Sequence, residues 1–362
     1  MDKKKICLVI PSFQAGGMER VMSGLAGYFC EKPDLEVHLV LYGIKPETFY
    51  KVPPGLKIHK PVSAFNNKLR FYHTVKRLIY LRQTVRKIDP DTVLSFGELW
   101  NSFVLIALFG FHYPVYISDR CSPARTYKPL NIFLRRILYP RARGVIAQTE
   151  KAKLLYAKQF RNKNIRVIGN PIYQIQNSDS IQKENIVLSV GRLIASKHHD
   201  KLIELFSKVT VPGWKLVIVG DDSLKQKNYS RLKELIKDLN MEEKIILAGK
   251  QSGIDSFYLR SKIFAFTSSS EGFPNVIGEA MSAGLPVIAF DCVAGPSEMV
   301  NDSRNGFLVP LFEYEQFRKK LELLMSNNDL RNEFGRNACE TIKRFTIQNI
   351  GEQYLRFIMN IK

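Results

Sequence analysis

No apolar run in this 362-residue sequence reaches the ~18–20 residues that a helix needs to span a bilayer, so no transmembrane helix is expected. A secretion signal is not expected either: Met-Asp-Lys-Lys-Lys leads straight into the apolar stretch 6–10, too short for a signal core. Cysteine is scarce and odd in number. Cys7, Cys30, Cys121, Cys292 and Cys339 are scattered and show no Cys-x-x-Cys spacing, which argues against a zinc site or disulfide framework and fits a reducing cytoplasm. The only adjacent histidines are His198 and His199, and neighbours on a helix point in different directions, so no metal site is expected. No RNA-recognition, KH or helix-turn-helix signature is visible, so nucleic acid is not expected as a partner. Two long stretches also lack acid. Residues 65–88 and 120–149 each hold seven Lys/Arg and no Asp or Glu.

Base is correspondingly abundant, and it is unevenly placed. The net charge is +20. Residues 1–172 carry 29 Lys/Arg against 11 Asp/Glu, a difference of +18, while residues 173–362 carry 25 against 23, a difference of +2. A basic first half suits an anionic partner. In 65–88 the cations alternate with Phe71, Tyr72, Leu78, Ile79, Tyr80 and Leu81, and in 120–149 with Phe133, Leu134, Leu138 and Tyr139. Basic amphipathic helices of this kind suit the plane of an anionic membrane, so a peripheral position on the inner leaflet is expected.

The length predicts two domains. Short apolar runs alternate with helical stretches in both halves, the pattern of parallel sheets with crossover helices. Strands are predicted at 6–10, 37–42, 92–96, 115–118 and 144–147, then at 186–190, 215–219, 244–247, 263–266 and 286–290. The runs are continuously apolar, as expected where both faces of a strand are covered. The boundary is predicted near Gly169-Asn170-Pro171, followed by a polar linker at 174–184. The apolar spacing of Ile347, Ile350, Tyr354, Leu355 and Ile358 predicts a final helix that returns to the first domain. The first domain is therefore 1–171 plus 347–362, and the second 172–346.

Three segments carry candidate chemistry. After the first strand, Gly16-Gly17-Met18-Glu19-Arg20 opens a helix; the glycines leave N–H groups uncovered at its positive end, where an anion can sit. The second domain begins with a strand followed by Gly191-Arg192-Leu193 and then Lys197. Arg192 can grip a phosphate with two N–H bonds and Lys197 adds a compact charge, so together they can neutralise a leaving diphosphate without a metal. The third segment is Glu271-Gly272-Phe273-Pro274-Asn275-Val276-Ile277-Gly278-Glu279-Ala280. Pro274 suits a first helical turn, and Gly272 with the N–H groups near Asn275 and Val276 would face phosphate or sugar hydroxyls. Glu271 and Glu279, eight residues apart, can address different hydroxyl pairs of one long ligand, because a carboxylate is purely an acceptor.

Glu271-Gly-Phe-Pro-Asn-Val-x-x-Glu279-Ala closely resembles the signature of family 4 retaining glycosyltransferases of GT-B fold. The likeness runs through nearly the whole chain. Gly16-Gly17-Met18-Glu19-Arg20 resembles the family's N-terminal turn, Gly191-Arg192-Leu193 with Lys197 its phosphate-binding loop, and Asn305-Gly306-Phe307-Leu308-Val309 its Asn-Gly-x-Leu-Val turn. The resemblance implies two Rossmann-like domains facing across a cleft. It implies catalytic roles for Arg192, Lys197 and Glu271. Donor contacts would come from Gly16, Gly17, Gly272, Phe273, Pro274, Asn275, Val276 and Glu279, with Lys250 and Gln251 flanking the base. No cofactor or metal is expected beyond a UDP-sugar donor. The implied reaction is transfer of a hexose or N-acetylhexosamine, with retention, to a polyprenyl-phosphate-linked or other glycan. One segment departs from the family. Where many members have a Ser-Glu-His-like motif, this chain has Ser118-Asp119-Arg120, and arginine cannot act as a base, which leaves Asp119 and Arg120 as acceptor-side candidates of open role. Another GT-B enzyme, such as a sugar-nucleotide 2-epimerase, and a non-catalytic basic lipid- or nucleic-acid-binding protein are the alternatives.

Overall fold

Runs of Val, Ile, Leu and Phe bounded by glycine and polar turns set the strands of the computed structural model, which describes residues 3–14, 16–43, 48–62, 66–176, 181–222 and 227–361. Phe65 and part of the expected linker, 177–180, lie outside the described residues. The chain divides into two units, Met1–Pro171 with Ile347–Lys362, and Ile172–Thr346.

The strands of the first unit are β1 (Lys4–Ile10), β2 (Leu35–Leu41), β3 (Lys57–His59), β4 (Thr92–Phe96), β5 (Val115–Ser118), β6 (Gly144–Ala147) and β7 (Ile165–Val167). They form one sheet in the order β3-β2-β1-β4-β5-β6-β7, and every pairing is parallel. The second unit has β8 (Ile186–Val190), β9 (Lys215–Val219), β10 (Ile245–Gly249), β11 (Ile263–Phe266), β12 (Val287–Asp291) and β13 (Gly306–Pro310), in the parallel order β10-β9-β8-β11-β12-β13. The run 305–309, expected as a turn, is therefore a turn only at Asn305; from Gly306 it is the edge strand β13, registered on β12.

Parallel neighbours need crossovers, and helices supply most of them; among the described residues the β2–β3 connection has none. Leu8 and Val9 in the first sheet and Val187 and Leu188 in the second are fully buried. Local signals fix several helix starts. Pro129 opens Pro129–Leu138, and Thr149 caps Glu150–Gln159 by accepting from the Ala152 N–H at 2.9 Å. The final helix, Ile347–Met359, packs on Gly17–Cys30 of the first unit, with Gly351 lying directly against the Tyr28 ring. Among the described residues no helix is long and apolar enough to cross a membrane.

In both sheets the strand order reverses once, between β1 and β4 and between β8 and β11. Loops leaving the carboxyl ends of such strands diverge to opposite faces and open a crevice where ligands bind. The candidate motifs follow β1, β8 and β11.

Candidate active site

In the second unit the loop after β8 carries Gly191, Arg192 and Lys197, and the loop after β11 carries Glu271. Leu193 anchors the first loop: its side chain is buried, and its N–H donates to the Asp221 carbonyl at 3.0 Å. The two loops are then sewn together. The Thr267 hydroxyl donates to the Lys197 carbonyl at 2.8 Å, and the Ser268 hydroxyl to the Ser196 carbonyl at 3.1 Å. The Ser269 N–H donates to that same Ser196 carbonyl at 2.9 Å. These bonds bring Lys197 Nζ within 2.5 Å of Glu271 Oε1, over the Phe266 ring at 5.2 Å from its centroid. Both side chains keep a narrow opening to solvent, at 15% and 14% exposure. Arg192 is exposed on the same loop; its carbonyl accepts from the Ile194 N–H at 2.9 Å, and its guanidinium has no ion-pair or hydrogen-bond partner among the described residues.

Beyond Glu271 the chain enters the helix Asn275–Ser282, with Pro274 just before its first residue rather than within its first turn. Gly272 is partly exposed, whereas Phe273 is buried against Phe345, so Phe273 offers only backbone. Gly295, at φ +109°, closes over the Pro274 ring where any Cβ would overlap it, which fixes the entry to this helix. Glu279 lies one turn in, 4% exposed, and its Oε2 accepts from the Tyr258 hydroxyl at 3.0 Å. Lys250 and Gln251 follow the edge strand β10, two strands from β8; Gln251 donates to its own turn, at the Ala248 carbonyl. Among the described residues no hydrogen bond or ion pair joins either side chain to Lys197 or Glu271.

In the first unit Gly16 precedes the helix Gly17–Cys30. Its N–H donates to the Tyr50 hydroxyl at 3.2 Å, which in turn donates to the Gly16 carbonyl at 2.8 Å. A Cβ at Gly17 would meet nothing, so the helix start is open there. Asp119 and Arg120 face inward. Asp119 is 1% exposed and accepts from Arg135 at 2.5 Å, Asn101 at 3.0 Å and Tyr139 at 2.8 Å. Burial pushes its carboxyl above the ordinary range, against the pull of Arg135. Arg120 is not a surface cation: it donates to Asn170 at 2.5 Å and to the Tyr354 hydroxyl at 3.1 Å, and lies over the Phe96 ring. It staples the final helix to the end of the sheet. Removing one partner of a buried pair strands the other, so Asp119→Ala should lower unfolding free energy by about 3–5 kcal/mol in denaturant titration. A change below about 1 kcal/mol would refute the structural role given to Asp119.

Comparison with known proteins gives this geometry its context. The family model described as Glycosyltransferase Family 4 matches residues 15–173, and that described as Glycosyl transferases group 1 matches residues 173–341. A Campylobacter jejuni protein is 28% identical over 99% of both chains; its name is GalNAc-alpha-(1->4)-GalNAc-alpha-(1->3)-diNAcBac-PP-undecaprenol alpha-1,4-N-acetyl-D-galactosaminyltransferase. The amylovoran biosynthesis glycosyltransferase AmsD of Erwinia amylovora is 30% identical, over 93% of this chain and 94% of its own. The chain belongs to glycosyltransferase family 4. Anabaena HepE, solved with UDP, superposes with a TM-score of 0.83 at 20% identity over 99% of this chain and 100% of its own, which shows the fold to be GT-B.

Two histidines of this glycosyltransferase had no expected role beyond the improbability of a shared metal. Their rings go separate ways. His198 sits in the left-handed region at φ +51°, ψ +40°, and its Nε2 lies 2.9 Å from the Ser269 hydroxyl. Glycine would relax that backbone and cut the tether. His198→Gly should therefore leave thermal stability nearly unchanged while turnover falls about tenfold, and Ser269→Ala added to it should cost little more. Full turnover in His198→Gly would refute the tether.

His199 is buried beneath the loop, and neither ring nitrogen makes a hydrogen bond of good geometry, although the Gly191 and Arg192 backbone lies beside the ring. Burial, helped by the Lys197 charge, pushes it down from 6.5 to about 4. The unfolded chain thus binds a proton that the folded chain refuses. Stability should be complete above pH 6.5, fall as pH drops toward about 4, and level off below. His199→Gln should flatten that slope in pH-dependent unfolding; an unchanged slope would rule out His199 as its source.

Proposed function

We propose that this glycosyltransferase moves a hexose or N-acetylhexosamine from a UDP-sugar to a hydroxyl of a lipid-linked saccharide, with retention and without a divalent cation, in bacterial surface-glycan assembly. One observation carries the reading: Lys197 and Glu271 meet at 2.5 Å where the strand order reverses, between Arg192 and the start of the Asn275–Ser282 helix. That arrangement offers a diphosphate two cations and the Val276 N–H at the helix start, and it offers a sugar one carboxylate.

The chemistry follows from these positions. The bond from the sugar's anomeric carbon to the β-phosphate oxygen breaks, and its electron pair goes to that oxygen. Arg192, Lys197 and the Val276 N–H stabilise the growing negative charge, the Asn275 N–H being taken up by the Phe273 carbonyl at 3.1 Å. Glu271 leaves Lys197 to accept from donor-sugar hydroxyls, and Glu279, steadied by Tyr258, holds the ribose hydroxyls. The acceptor oxygen bonds to the same face of the sugar, and its proton passes to the departing phosphate, so no protein base is required.

The relatives support this choice of substrates. The Campylobacter protein's name describes transfer of N-acetylgalactosamine onto an undecaprenyl-diphosphate-linked glycan, and the Erwinia protein serves amylovoran biosynthesis. HepE has been solved with UDP and glucose. The first unit would carry the acceptor and, through its basic faces, meet the inner leaflet. The test is to incubate the chain with a panel of sugar nucleotides in EDTA, with and without bacterial lipid extract. Release of UDP that rises with lipid extract is expected. Release of GDP alone, or none from any sugar nucleotide, would overturn the donor assignment.

A further inference from the structure

A cavity of about 930 Å³ in the first unit lies between the helix Pro129–Leu138 and the end of the helix Glu150–Gln159. Five cations line it, Arg125, Arg135, Arg136, Lys158 and Arg161, and no carboxylate does. Two are already neutralised: Arg125 pairs with Glu98 at 3.1 Å, and Arg135 with Asp119 at 2.5 Å. Arg136, Lys158 and Arg161 are exposed and have no ion-pair partner among the described residues. Arg135, buried against the Tyr127 ring, also keeps one nitrogen, Nη1, without an acceptor. Three uncompensated charges around one concavity repel each other unless an anion joins them.

The surroundings narrow the anion. Ile132 and Arg136, one helical turn apart, both line the cavity. The neighbouring stripe of the same helix leaves Leu130, Phe133 and Ile137 exposed at 66%, 59% and 40%. A free inorganic ion has no use for that apolar stripe. Single-stranded nucleic acid would want open aromatic faces, but Phe160 is buried and Tyr127 is stacked on Arg135. An anion with an apolar tail satisfies both features.

We infer that this cavity binds the phosphate or diphosphate head group of a membrane lipid, while Leu130, Phe133 and Ile137 enter the acyl layer. Two sources share this chemistry, an anionic phospholipid and a polyprenyl-diphosphate acceptor; only the second rests on the function proposed above.

The test titrates the full chain with farnesyl diphosphate and with inorganic pyrophosphate. It compares Arg136→Gln/Arg161→Gln with Lys68→Gln/Lys76→Gln, which removes equal charge from the other basic segment. Farnesyl diphosphate should bind saturably at one site and more tightly than pyrophosphate. The cavity pair should weaken it about tenfold or more, and the control pair less than about twofold. Equal losses in both pairs, equal affinity for the two probes, or no saturable binding would each overturn the inference. Sedimentation with phosphatidylcholine vesicles carrying either phosphatidylglycerol or a polyprenyl diphosphate then assigns the source. UDP release by the wild-type chain is scored separately, so loss of the cavity inference and loss of the transferase reading are distinguishable.

Discussion

Replacing Lys197 with alanine should lower kcat for UDP release about 10²–10³-fold, the range for removing one donor aimed at developing charge. The side chain is one of two cations near the expected phosphate position. Its ammonium is held at 2.5 Å from Glu271 by a loop that Thr267, Ser268 and Ser269 fasten from the adjacent strand. Without it the Glu271 carboxylate would stand unneutralised beside an incoming diphosphate, and repulsion would add to the lost attraction. Lys197→Arg should recover part of the rate, since the charge persists but its geometry changes. Steady-state kinetics with thermal unfolding as a control checks this. A kcat within about fivefold of wild type, in a folded protein, would remove Lys197 from the catalytic step.

Glu279→Ala should act differently, raising KM for the nucleotide sugar about 10–100-fold with kcat changed only a few-fold. A hydrogen bond to a charged group is worth about 1.5–3 kcal/mol, which corresponds to that range. The carboxylate is 4% exposed and oriented by Tyr258, itself fully buried. Tyr258→Phe keeps the carboxylate and should raise KM by less than Glu279→Ala does. If Glu279 served only to stabilise the helix, its loss would lower the unfolding midpoint and leave KM unchanged.

The features legible in the sequence were those with a local cause. Apolar runs of four or more residues marked ten of the thirteen strands found among the described residues, and glycine or proline marked the loops that leave them. Short edge strands were not legible. Lys57–His59 and Ile165–Val167 have three residues each, are only partly covered, and owe their state to β2 and β6 rather than to their own composition. Gly306–Pro310 looked like a turn because Asn-Gly is a turn signal, but pairing with β12 overrides it. Pro286 was expected within β12 and lies just outside it, consistent with its missing N–H.

The candidate site divides the same way. Arg192, Lys197 and Glu271 were visible because charged residues beside glycine after a strand are unusual, and Glu279 through its spacing from Glu271. The hydroxyl stitching was not, because it depends on β8 and β11 being neighbours although more than seventy residues separate their loops. Arg135 was hidden within a basic run that suggested a membrane-facing surface; its partner Asp119 comes from the end of β5, which only the packed fold brings near. His198 gave no signal, since a left-handed backbone at a non-glycine residue is not written in composition.

Calorimetric titration of UDP into the full chain, in EDTA and again with magnesium or manganese, tests most directly whether protein cations and peptide N–H groups hold the diphosphate unaided. Binding in EDTA should match binding with metal to within about twofold, and should weaken about tenfold or more in an Arg192→Ala/Lys197→Ala variant. Binding abolished by EDTA and restored by the divalent ion, with the double variant unaffected, would contradict it.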